Sequence, residues 1–243
     1  MMRLPAARAR TFYLPLALLV GAGLSLLVFQ TLRAGPNDGE VLNSDFVVSR
    51  LVRHVQLVGE AFAVVAAIGL PLGVALAKAG RWVRVVVFLV ANLGQAVPSI
   101  GLLVLFYAFL GPGVNPTIIA LSLYGLLPVL RNTMVGVQGV DPAAVEAARG
   151  MGMSAWQSLW RVELPLASPV VFAGLRTSLV LIVGTATLGN FVGGGGLGDL
   201  INSGIDSSDR IVFVGAVMVA TLALLADWLL SLVEQAVVPR RLV

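Results

Sequence analysis

Residues Asp141–Pro165, DPAAVEAARGMGMSAWQSLWRVELP, form the only long amphipathic, charge-bearing stretch in a chain that otherwise alternates apolar spans with short loops. Asp141 is placed to N-cap a helix, with Pro142 at the first position, where a missing N–H removes no bond. Ala143, Ala144, Val145, Glu146, Ala147 and Ala148 are mostly good helix formers; Gly150 and Gly152 then stop or bend the helix. Ser154, with Gln157 three residues on, has the form of a capping box for a second short helix. Met153, Trp156, Leu159 and Trp160 fall at helical spacing on one face of it. Pro165 and Pro169 each bias the preceding residue away from helix. The spacing therefore predicts two short helices with an apolar patch among charges, and no membrane crossing.

Outside this stretch the composition decides the class. Hydrophobic residues make up 58% and charged residues 12% of 243 positions, which excludes a soluble domain. Apolar spans lie over about 12–32, 55–77, 85–110, 117–135, 170–191 and 211–233, with lengths suited to a hydrocarbon core that takes roughly 20 helical residues. They read as a single transmembrane domain over 1–243, because backbone groups in lipid are satisfied within helices that pack as one bundle. A cleaved signal peptide is the competing reading of the first span. Its apolar core is long for that and shows no small-x-small cleavage site, so it reads as uncleaved. Cysteine is absent and histidine occurs once, which excludes disulfides, thiolate metal sites and cysteine nucleophiles. A membrane enzyme would need a nucleophile with a base, or clustered metal ligands.

The net charge of +4 reads as topology rather than as nucleic-acid binding. Six spans put both termini on one side. With the N-terminus in the cytoplasm, Arg3, Arg8, Arg10, Lys78, Arg81, Arg84, Arg131, Arg149, Arg161, Arg240 and Arg241 fall inside; Arg33, Arg50, Arg53 and Arg210 fall outside. This has the sign of the positive-inside rule and places residues 141–165 in the cytoplasm.

The string Glu146-Ala147-Ala148, Gly152 four residues later and Val162-Glu163-Leu164-Pro165 resembles the EAA loop of ABC-importer permeases, E-A-A-x3-G-x9-I-x-L-P, with Val162 standing for Ile. QAVPSIGLL (Gln95–Leu103), LYGLLPVLRNT (Leu123–Thr133) and GTATLGNFVGGGGLGDLI (Gly184–Ile201) are similar to the subgroup that imports osmoprotectants such as glycine betaine, choline or carnitine. The resemblance covers about Val55 to Asp227. It implies an all-α membrane protein with six transmembrane helices, the type I ABC importer permease fold and a cytoplasmic coupling loop. It further implies that Glu146, Ala147, Ala148, Gly152, Met153, Trp156, Trp160, Leu164 and Pro165 engage a cytoplasmic ABC ATPase. That subunit would bind the ATP, leaving no cofactor, catalytic residue or metal in this chain. A substrate-binding protein outside the cell and a second permease subunit, identical or paralogous, complete the implied assembly in the lipid of the cell inner membrane. An amino acid, phosphate or sulfonate is the alternative cargo. A stand-alone secondary transporter would need coupling-ion carboxylates at mid-bilayer and leaves the loop unexplained.

Gln95, Pro98 and Ser99 interrupt the third span. Irregular backbone at that depth is tolerated only against protein or a water-filled cavity, so these residues line a translocation path or form a proline kink satisfied by a neighbour. Tyr124 is a candidate for the same path. Glu60, in the outer part of the second span, either attracts a cationic head group or stays hydrated, protonated or paired with Arg53 or His54. Asp227 is explained by facing the bundle or by pairing with Arg176. His54 stands at a membrane edge, where hydration is its default state. The run Gly193–Gly196 with Gly198 lacks the GK[ST] of a phosphate loop and reads as a flexible gate outside the cell. Gly59, Ala61, Ala63, Ala66, Ala67, Gly69 and Gly73 make the second span suited to close helix packing.

Overall fold

The computed structural model describes Gly21 and residues 29–32, 34–36 and 38–238, and regular structure among them is helical throughout. A short α1 (Asp38–Val41) leads into α2 (Ser44–Lys78), which Asn43 caps by accepting the Phe46 N–H at 2.8 Å. Then come α3 (Arg81–Ala96), α4 (Ser99–Leu110), α5 (Val114–Gln138) and α6 (Pro142–Gly150). One long helix, α7 (Ala155–Val192), contains a π-helical segment at Leu159–Glu163 and ends in a 3-10 turn over Ala186–Val192. It is followed by α8 (Leu197–Gly204) and α9 (Asp209–Val237).

The centre of the bundle is α5, flanked by α2 and α7. Gly69 and Gly73 allow the α2–α5 approach: a Cβ at Gly73 would stand 2.6 Å from the Thr133 Cβ. Val58, Ala61, Val65, Leu121, Val129, Leu175, Ile182 and Val183 fill the core between these three helices. The small residues of α2 are split by helical phase. Ala61, Gly69 and Gly73 are buried, whereas Gly59, Ala63 and Ala67 face outward. On the far side of α7, α9 is joined by a two-pronged ion pair, Arg176 Nε and Nη2 donating to Asp227 at 2.7 and 2.6 Å. Asp227 thus takes the pairing expected of it.

Among the described residues, four helices are long and apolar enough to cross a membrane: α2, α5, α7 and α9. The pair α3 and α4 makes a fifth if counted as one bent span, and the expected span over 12–32 lies almost wholly outside the described residues. Three expected boundaries change. The helix expected over 55–77 begins at Ser44, ahead of the apolar stretch. The span over 85–110 divides at Val97–Pro98 with a 94° bend. Pro98 has no N–H to continue the helix, and Val97 before it is extended (φ −72°, ψ 129°). Finally, Pro165 and Pro169 do not end the second short helix, which continues unbroken into the span expected over 170–191. Pro165 comes just after the π segment, whose last bond runs from the Leu164 N–H to the Leu159 carbonyl. Pro169 leaves the Pro165 carbonyl free, and Ser168 Oγ donates to it at 2.6 Å.

Candidate functional site

The Asp141–Pro165 stretch stands at the Lys78 end of the bundle. Asp141 Oδ1 accepts the Ala143 N–H at 2.9 Å, with Pro142 opening α6. The far end of α6 is closed by a Schellman turn: the Met153 N–H reaches the Ala148 carbonyl (3.1 Å) and the Gly152 N–H reaches that of Arg149 (2.9 Å). Gly152 is the residue this turn requires in the left-handed region, at φ +81°. Ala148 is fully buried beneath it, while Glu146, Ala147, Arg149 and Met151 are exposed. Ser154 and Gln157 form the reciprocal capping box at the start of α7 (3.3 and 2.9 Å).

The two tryptophans stack edge to face at 5.4 Å and remain largely exposed. With Leu159 and Leu164 they border an apolar recess of ≈ 510 Å³ whose opposite wall is Leu70, Pro71, Val74 and Ala75 of α2. Met153, Leu164 and Pro165 are half-buried. Glu163, by contrast, is buried, ion-paired with Lys78 and accepting from Ser158 Oγ at 3.4 Å. Sequence reasoning passed over this pair, whose members lie 85 positions apart.

The second group gathers at the α3–α4 bend. Pro128 cannot supply the N–H that would bond the Tyr124 carbonyl, and Gln95 Nε2 donates to that carbonyl at 2.9 Å. The Tyr124 hydroxyl donates in turn to the Val97 carbonyl at 3.4 Å. Gln95, Tyr124 and the Val97–Pro98 bend therefore form one polar unit, with Ser99 opening α4 beside it. Glu60 stands apart. It is exposed on the outer face of α2, beside Gly59 and Ala63, and has no hydrogen-bond or ionic partner among the described residues. The pairing with Arg53 or His54 is not present, because both are engaged elsewhere.

His54 is fully buried rather than hydrated. Its Nδ1 accepts the Leu197 N–H at 3.2 Å, which leaves Nε2–H to donate to the Val183 carbonyl at 3.1 Å. Arg53 Nε donates to the Gly194 carbonyl (3.0 Å), and Arg50 pairs with Asp199 at 2.8 Å. Gly194, Gly196 and Gly198 are consequently packed into the fold, Gly196 against the His54 ring. The run expected as a flexible gate forms a cradle packed on α2, where Arg53 and His54, more than a hundred positions away in sequence, bond Gly194 and Leu197.

Residues 69–239 match the family described as binding-protein-dependent transport system inner membrane component. The carnitine transport permease protein OpuCD of Listeria monocytogenes is 39% identical over 199 residues, 81% of this chain and 89% of that protein. The glycine betaine/carnitine/choline transport system permease protein OpuCB of Bacillus subtilis is 40% identical over 190 residues (78% and 86%). The osmoprotectant import permease protein OsmW of Salmonella typhimurium is 37% identical over 204 residues (82% and 94%). In fold, the chain resembles a subunit of an inward-facing MetNI methionine ABC transporter, with TM-score 0.71 and 23% identity over 79% of this chain and 96% of that one.

Proposed function

The chain belongs to the family of binding-protein-dependent transport system inner membrane components, and on that premise we propose that it forms the translocation pathway for osmoprotectants of the glycine betaine, choline and carnitine type. It is a permease subunit and not an enzyme. The substrate class rests on the names of relatives that share 37–40% of their residues with it over most of their length. A separate ABC ATPase binds the ATP, a binding protein delivers the solute, and a second permease subunit encloses the pathway. Six crossings complete the topology, the apolar sequence over 12–32 supplying the first, α2, the bent α3–α4 pair, α5, α7 and α9 the others. Both termini and residues 141–165 lie in the cytoplasm.

The observation that carries the coupling role is the construction of α6. Caps at both ends hold a nine-residue helix off the bundle, with Glu146, Ala147, Arg149 and Met151 outward and Ala148 as its buried foot. This is the surface offered to the ATPase. Gly152 sets the turn behind it, and Met153, Trp156, Trp160, Leu164 and Pro165 seat the following helix. Glu60 supports the pathway assignment. A carboxylate facing hydrocarbon is costly, so the outer face of α2 borders a hydrated path between subunits, with Gln95, Pro98, Ser99 and Tyr124 shaping another wall. The test reverses the outward charges without touching a cap. Glu146→Lys with Arg149→Glu should insert normally yet lose co-purification with the ATPase and stimulation of hydrolysis by loaded binding protein. Full co-purification with full stimulation would remove α6 as the coupling element.

A further inference from the structure

Glu163 is the one buried carboxylate of the 141–165 loop. In an unbroken α-helix it would share the Trp156 face, because seven residues at about 100° each return to within about 20° of the start. The π-helical segment Leu159–Glu163 adds a residue to the turn and offsets the phase by roughly one residue's rotation. Trp156 and Trp160 thus stay exposed at 66% and 55%, while Glu163 turns inward to 4%. Burying a carboxylate is tolerated where it is paired and hydrogen-bonded. The pair is Lys78, the chain's single lysine and the last residue of α2, and the hydrogen bond comes from Ser158. Glu146 and Arg149 line a second recess together with Lys78 and Glu163 but form no ion pair among the described residues.

At its other end α2 is tied to α7 again, through His54 and the Val183 carbonyl, and the same ring holds the first N–H of α8. The two ties on α2 lie 24 positions apart, about 36 Å of helix. Two long helices pinned to one another at both ends cannot slide or tilt independently without losing the buried His54 bond or the half-exposed Lys78 pairing.

We propose that the Lys78–Glu163 pair makes α2 move as one body with the loop, so that displacement of the loop reaches the Glu60 face and the glycine cradle together. Lys78, Glu163 and His54 are positioning residues in this scheme, which rests on the reading of 141–165 as the coupling loop. The readout is solute taken up per ATP hydrolysed by the permease, ATPase and binding protein in proteoliposomes. Lys78→Met should leave ATPase co-purification unchanged and lower uptake per ATP at least fivefold. Exchanging the charges, Lys78→Glu with Glu163→Lys, should restore the ratio to within twofold. Because the chain has no cysteine, Lys78→Cys with Glu163→Cys can be joined by a short, reducible bis-thiosulfonate reagent. The joined protein should transport with the ratio of the unmodified complex and lose it on reduction. An unchanged ratio in Lys78→Met overturns the proposal. So does an inactive joined protein, since the pair would then have to open in every cycle. Binding of the ATPase by the unmodified permease tests the loop reading separately.

Discussion

Replacing Gly152 separates two explanations of why glycine stands there. Its φ of +81° is a backbone conformation that costs a residue with a Cβ about 1–2 kcal/mol. No heavy atom lies within 4 Å of the position a Cβ would take, so nothing inside this chain adds a steric term. If docking requires the Schellman turn that Gly152 closes, Gly152→Ala should weaken ATPase affinity by up to roughly 5–30-fold, since each 1.4 kcal/mol is tenfold. Asparagine enters the left-handed region more readily, so Gly152→Asn should lose less. A β-branched side chain is least tolerant there, and Gly152→Val should lose most. The assay is titration of the ATPase onto permease held in nanodiscs, with expression and membrane insertion as controls. Should Gly152→Ala bind like the unmodified protein while Gly152→Glu fails, side-chain bulk against the partner would be the cause, and the backbone argument would be wrong.

Three further outcomes follow from the same geometry. Glu60→Gln should reduce choline uptake about fivefold, roughly 1 kcal/mol of transition-state stabilisation, and spare zwitterionic amino acids if these are carried; equal loss for every solute would contradict a role in drawing cations. Arg176→Met leaves Asp227 unpaired in a partly buried site, and Glu234 without its longer 3.6 Å contact, and should destabilise the detergent-solubilised protein by about 3 kcal/mol. Adding Asp227→Leu should recover most of that in thermal unfolding, and absence of recovery would show that the ion pair is not what joins α7 to α9. For topology, an impermeant thiol reagent applied to intact cells should label Ser207→Cys and spare Ser154→Cys; labelling of the latter before lysis would invert the orientation.

Local chemistry was legible in the sequence where it acts over three or four residues. The Asp141 cap, Pro142 at the first position of α6 and the Ser154–Gln157 capping box all stand as their spacing predicts. Gly152 was readable as a break but not as the left-handed corner of a Schellman turn, because the bonds that define it belong to Ala148 and Arg149. The Arg176–Asp227 pair was foreseeable, since an aspartate in an apolar span has few other ways to be tolerated. The rest depended on contacts distant in sequence. His54 reads as an interfacial residue because both of its partners lie 129 and 143 positions away in sequence. Continuity of α7 past two prolines needed the π segment and the Ser168 hydroxyl, neither of which has a periodic signature. The Gln95 amide is legible as an interruption, but its target, a carbonyl freed by Pro128, lies on another helix.

A permease driven from outside itself carries solute only in the company of its ATPase and binding protein. Purified permease, reconstituted with and without its ATPase and binding protein, should be offered radiolabelled choline, carnitine, glycine betaine and amino acids. ATP-dependent accumulation of the quaternary amines is expected only when all components are present, and none with the permease alone under an imposed sodium or proton gradient. Gradient-driven uptake by the permease alone would contradict this.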